Sequence, residues 1–146
     1  MMQSVILSIR GKQNYLDQDP EIIELVTEGT MELRDGGWDI SYEESDLTGL
    51  KGTTTTFRVE PGCITLTRKG PLNSQMVFRE GIFHESLYEM EFGALMITVC
   101  ANRVDFQIGE KGGTIDLTYA IDIENTAAGY IEYHLNIKTS NNALTA

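Results

Sequence analysis

Basic residues are scarce: Lys and Arg number 11 against 22 Asp and Glu in 146 residues, leaving a formal net charge of −11. Phosphate binding needs clustered cations that release counterions, so nucleic acid is excluded as a partner, and an anionic membrane surface is disfavoured for the same reason. The imbalance lies early in the chain: eleven carboxylates meet three basic residues through Asp46, whereas Leu47 to Lys111 holds seven of each. A surface that accepts an anion is therefore expected in the middle third. Cysteine is sparse too, with Cys63 and Cys100 the only two. Each sits inside an alternating pattern with no Cys or His at metal-ligand spacing, which points to reduced packing residues, no metal centre and a cytoplasmic location.

Long apolar runs are missing, so no membrane span is expected. The opening Met1-Met-Gln-Ser-Val-Ile-Leu-Ser-Ile lacks the basic start of a secretory signal and is cut short by Arg10. Glycine is plentiful, at 14 residues, yet no Gly-rich strand-to-helix phosphate motif occurs, and no cofactor is implied.

What fills the chain instead is alternation with a period of two. In the last hairpin, Ile115, Leu117, Tyr119, Ile121 and Ile123 share one face, and Ile131, Tyr133, Leu135 and Ile137 repeat the pattern on the returning arm. That is the signature of strands with one dry side. Val5, Leu7 and Ile9 start a first strand, and a loop at Asp17-Gln-Asp-Pro follows. Glu21 to Arg34 reads as a long strand bent near Gly29, because Thr27, Gly29 and Thr30 disfavour a helix. Asp35-Gly36-Gly37 is a tight turn into Trp38, Ile40 and Tyr42, after which the acidic Glu43-Glu-Ser-Asp leads to a Thr-rich strand over Leu50 to Val59. Further strands follow at Cys63–Arg68, Ser74–Arg79, Ile82–Phe92 and Leu95–Ile108, the last with a bulge near Asn102-Arg103; a polar tail from Thr139 is expected to fray.

About ten strands joined by short turns, with no helical spacing, predict a single all-β domain over residues 1–146, large enough to bury roughly two-thirds of its unfolded surface. Sheet closure removes exposed edges, so an antiparallel up-and-down barrel is expected over a sandwich.

Several short stretches then point to a family. Glu24-Leu25 with Thr27-Glu-Gly, Asp35-Gly, Ile40-Ser-Tyr-Glu-Glu, Leu47-Thr-Gly, Leu66-Thr-Arg-Lys-Gly, Asn73-Ser-Gln-Met-Val-Phe, Tyr88, Phe92-Gly and Gly112-Gly-Thr-Ile-Asp-Leu-Thr-Tyr, in this order, resemble the YwiB-like family of bacterial calycin-like barrels. The resemblance spans almost the whole chain. It implies a lipocalin-like barrel in the cytoplasm and supplies no reaction and no catalytic residue. Met90 stands where that family is expected to favour a Thr-like residue, so no polar role is carried to it. Many members of the wider calycin group hold small apolar ligands, which is an analogy of fold alone.

The candidate site follows from the inward faces. Arg68 shares a face with Ile64 and Leu66, so a guanidinium there must reach the barrel mouth, meet a carboxylate or hold a ligand. Tyr42, Tyr88, Tyr119 and Tyr133 would also point inward with hydroxyls in need of partners. Together they would suit a small amphipathic molecule. A filled barrel acting as a protein-interaction module or homodimer is the alternative. No enzyme is expected: His84 and Ser86 share a side without an orienting carboxylate, His134 lies on the wet face, and Glu89 and Glu91 read as an exposed acidic face.

Overall fold

The alternation becomes strand almost wherever it occurs. The computed structural model describes residues 2–15, 18–46 and 49–140. They form β1 (Met2–Tyr15), β2 (Glu21–Arg34), β3 (Gly37–Glu43), β4 (Thr54–Glu60), β5 (Cys63–Lys69), β6 (Ser74–Phe78), β7 (Phe83–Met90), β8 (Gly93–Gly109), β9 (Gly112–Ile123) and β10 (Thr126–Thr139). No α-helix occurs among the described residues. Asp17 of the first loop, the Leu47-Thr48 pair and the tail beyond Ser140 lie outside them.

Neighbours in the sheet are neighbours in sequence. The order is β6-β5-β4-β3-β2-β1-β10-β9-β8-β7, and the adjacent pairs are antiparallel, with β1 and β10 joined from Val5↔Thr139 to Tyr15↔Gly129. The first and last strands therefore meet, which gives a nearly closed up-and-down barrel. Its seam falls mid-chain, between β6 and β7. Among the described residues the backbone crosses there at the Asn73↔Glu89 bridge, with two N–H···O bonds of 2.8 Å, and at the parallel bridge Glu80↔Ala101. The Gly81 N–H donates to the Ala101 carbonyl at 2.8 Å and the Val104 N–H to the Glu80 carboxylate at 3.0 Å. These bonds clamp the β6–β7 turn onto β8 instead of letting it close a hairpin.

Local chemistry explains the turns. Asp35 and Gly36 take φ of 51° and 77°, as a two-residue hairpin whose twist matches its strands requires. The bulge in β8 lies between Ala101 and Arg103. β1 runs on to Tyr15, past the last apolar residue of its pattern. Two local expectations need correction. The Thr-rich strand begins only at Thr54, because Leu50 to Thr53 is a turn closed by the Thr53 N–H on the Leu50 carbonyl at 3.0 Å, with Gly52 at φ 91°. At Gly29 the pairing to β1 and β3 continues without a register shift. What requires glycine there is the Ser41 carbonyl, which any Cβ would strike.

Because the topology is sequential, the connections after the odd-numbered strands all lie at one end of the barrel, the upper end. Toward the lower end, inward-facing Leu7, Met31, Ile40, Phe57, Ile64, Leu66, Phe78, Leu117, Leu135 and Ile137 are buried in one cluster. Each such side chain contributes roughly 1.5–3 kcal/mol by leaving water.

Candidate functional site

Inward positions change character as the odd strands rise. β1 passes from Leu7 and Ile9 to Gly11, Gln13 and Tyr15; β3 passes from Ile40 to Tyr42 and then to Glu44, just beyond its end. β5 passes from Ile64 and Leu66 to Arg68, and β7 contributes Tyr88. Small and polar groups thus collect at the upper end, and there the ring is not filled. The result is a cavity of about 240 Å³, completed by Ile23, Leu25, Leu50, Met76, Ile97, Tyr119, Ile121, Ile131 and Tyr133.

Arg68, Tyr42, Tyr88, Tyr119 and Tyr133, picked out separately along the sequence, all line this one space. Ring contacts form its floor. Tyr119 packs on Phe78 with centroids 4.5 Å apart, Tyr133 stacks with Tyr119 at 6.4 Å, and Phe57 meets Tyr133 edge-on at 6.4 Å. Gly11 stands opposite Tyr133 in the β1–β10 pairing and leaves room for its ring.

The charge centre is Arg68 with Glu44. Their side chains are 12% and 1% exposed, and Arg68 Nε lies 3.9 Å from Glu44 Oε2. Glu44 also accepts a hydrogen bond from the Thr55 hydroxyl. One Arg68 Nη reaches the Tyr133 hydroxyl at 3.5 Å, the outer limit of a hydrogen bond, while the buried Nε–H makes none. The guanidinium is therefore ion-paired but under-used as a donor.

Burial raises the hydroxyl pKa of Tyr119 well above its ordinary value of 10.0, and neighbouring Tyr133 adds to the effect. Burial likewise raises Tyr42, helped by the Glu44 charge. It is also the main cause of the upward shifts at Tyr15 and Tyr88. These four hydroxyls stay neutral at physiological pH and serve as hydrogen-bond donors and acceptors. The arrangement can hold a small molecule: an apolar body among isoleucines and leucines, and a polar head against the Arg68–Glu44 side.

Other candidates stand elsewhere. His84 Nδ1 accepts from the Val77 N–H at 3.4 Å across the seam, and a groove there is lined by His84, Ser86, Glu89 and Arg68. His134 is half exposed on the outer face and lies 2.6 Å from Asp116. Sequence reasoning passed over Glu44, read as part of an acidic connection, and Tyr15 and Gln13, which lie beyond the apolar alternation of the first strand.

The comparisons with known proteins agree with this fold. A family model described as a domain of unknown function (DUF1934) matches residues 7–137. A solved structure, the crystal structure of the ywiB protein from Bacillus subtilis, is similar at 19% identity with a TM-score of 0.85, covering 95% of this chain and 93% of that one. No curated protein matches. Among the described residues no helix is long and apolar enough to cross a membrane.

Proposed function

The chain belongs to DUF1934, a family defined without a function, and from that premise we propose that it is a non-enzymatic, cytoplasmic protein that binds a small amphipathic molecule in its barrel. One observation carries the reading: Arg68, a guanidinium 12% exposed that makes one long hydrogen bond, lines a cavity of about 240 Å³ whose remaining wall is mostly apolar. Its one hydrogen bond, to the Tyr133 hydroxyl, is 3.5 Å long, so the guanidinium keeps donors for a ligand acceptor. Pockets of this composition, with few convergent polar groups, are those that orient small ligands. An apolar cavity of about 150 Å³ accepts benzene, so by proportion this one suits a molecule of roughly ten non-hydrogen atoms. The free Cys63 and Cys100 are compatible with a reducing compartment.

Native mass spectrometry of protein purified from its own host tests the reading. The expected result is a bound small mass that disappears in the Gly11→Leu variant, whose side chain would occupy the cavity next to Tyr133. Wild-type protein that carries nothing, and whose melting temperature no small amphiphile raises, would count against it.

A second reading concerns the outer wall. β7 lies at the seam, and Phe83 and Leu87 on its outward face are 71% and 50% exposed, with Ile82 beside them. Exposed Glu85 and Glu89 alternate with them on that face; the apolar side chains on a seam strand suit contact with a second copy of the chain, since a two-fold contact uses the same patch twice. Light scattering of wild type and of Phe83→Ser distinguishes this homodimer from a monomer.

A further inference from the structure

The ligand-cavity reading leaves the head group open, and the charges around the cavity restrict it. Resting on that reading, we infer that the cavity selects an uncharged oxygen acceptor, such as a carbonyl, over a carboxylate or phosphate of equal size. Among the described lining residues Arg68 is the one cation and Glu44 the one anion. They already face each other at 3.9 Å, and the surrounding hydroxyls of Tyr15, Tyr42, Tyr88 and Tyr119 are neutral because burial raises their pKa values. The pocket is thus electrically balanced before anything binds. What Arg68 lacks is a hydrogen-bond acceptor on Nε, not a counter-charge.

A carboxylate placed against Arg68 would set two negative groups on one cation, 12% exposed, beside a carboxylate that is 1% exposed. Like charges so close disfavour joint ionisation. The groups near Arg68 along the seam do not relieve this. Lys69, Glu85 and Glu89 there are exposed, His84 is half-buried, and together they add no net positive charge when the histidine is neutral. The net charge of −11 opposes entry of an anion from a distance as well.

Octanamide and octanoate make a matched pair of probes, since they share one chain and one shape at about the size the cavity allows. Titration calorimetry of the full chain at neutral pH is expected to give octanamide at least tenfold tighter binding. Octanoate is expected to bind with uptake of one proton, so that its affinity falls about tenfold per unit between about pH 6 and pH 8 while that of octanamide stays flat. In Glu44→Gln the preference should reverse and the pH slope vanish. The wild-type slope stands alone if that variant fails to fold. Tighter binding of octanoate by wild type, or a flat pH profile for it, overturns the inference while leaving the cavity reading intact. Failure of both probes to bind overturns the cavity reading and the inference together.

Discussion

Removing Arg68 alone should be among the most damaging single changes in the barrel, and removing it together with the Glu44 charge should not. In Arg68→Met the Glu44 side chain, 1% exposed, loses the cation 3.9 Å away. Two unit charges at that separation interact by about 4 kcal/mol at an effective dielectric constant of about 20. Measured losses on breaking buried pairs are similar, about 3–5 kcal/mol, because the surviving charge stays desolvated. With a urea slope of about 2 kcal/mol per molar, the unfolding midpoint should drop by about 2 M. The double variant Arg68→Met/Glu44→Gln removes both charges at nearly constant volume and should return to within about 1–2 kcal/mol of wild type, since a neutral replacement of a buried pair is often no worse than the pair. Urea denaturation of the four proteins closes a double-mutant cycle with an expected coupling energy of at least about 2 kcal/mol. A loss under about 1 kcal/mol for Arg68→Met, the range of a solvent-screened surface pair, would refute the assignment of this pair to the dry interior.

Alkaline titration should show Tyr42 and Tyr119 ionising only as the barrel unfolds. Their folded pKa values lie above the unfolded value near 10, so the stability they confer is complete below about pH 10 and is lost as pH rises beyond it; phenolate absorbance that climbs while the β-sheet circular dichroism is intact would contradict this. Gly29→Ala should cost about 1–3 kcal/mol, the ordinary penalty of overpacking, because its Cβ would meet the Ser41 carbonyl; a thermal melt within a degree or two of wild type would show that β2 and β3 can separate there. Native-state hydrogen exchange should release the amides of β6 before those of β1, since β6 has a full ladder on one side only whereas β1 is paired along both edges.

Most of the barrel was legible because alternation records packing. Where a face meets other side chains, as at Ile115, Leu117, Leu135 and Ile137, sequence must keep that face apolar, and the period of two survives. Where packing stops, the record stops. The apolar alternation of the first strand stops at Ile9, yet Gly11, Gln13 and Tyr15 continue the inward face of β1 into the cavity. Glu44 was hidden in the same way. It follows Ile40 and Tyr42 at the same two-residue interval, so it points inward, but its charge and its acidic neighbours suggested a solvated connection.

These omissions share one cause, and topology would have exposed it. In an up-and-down barrel the C-terminal ends of β1, β3, β5 and β7 must sit at one end, and here their inward faces become polar or small together: Gln13, Glu44, Arg68 and Tyr88. A single such change is a strand end; the same change on alternate strands marks a hollow. The seam was not legible from local pattern, because Glu80-Gly81 between β6 and β7 reads as an ordinary hairpin turn. What separates those strands is the capture of that turn by Ala101 and Val104 of β8, a contact distant in sequence that no local pattern encodes. The bulge between Ala101 and Arg103, visible in the sequence as a stumble in the alternation, is therefore where the barrel gives up one strand pair to take hold of its own turn.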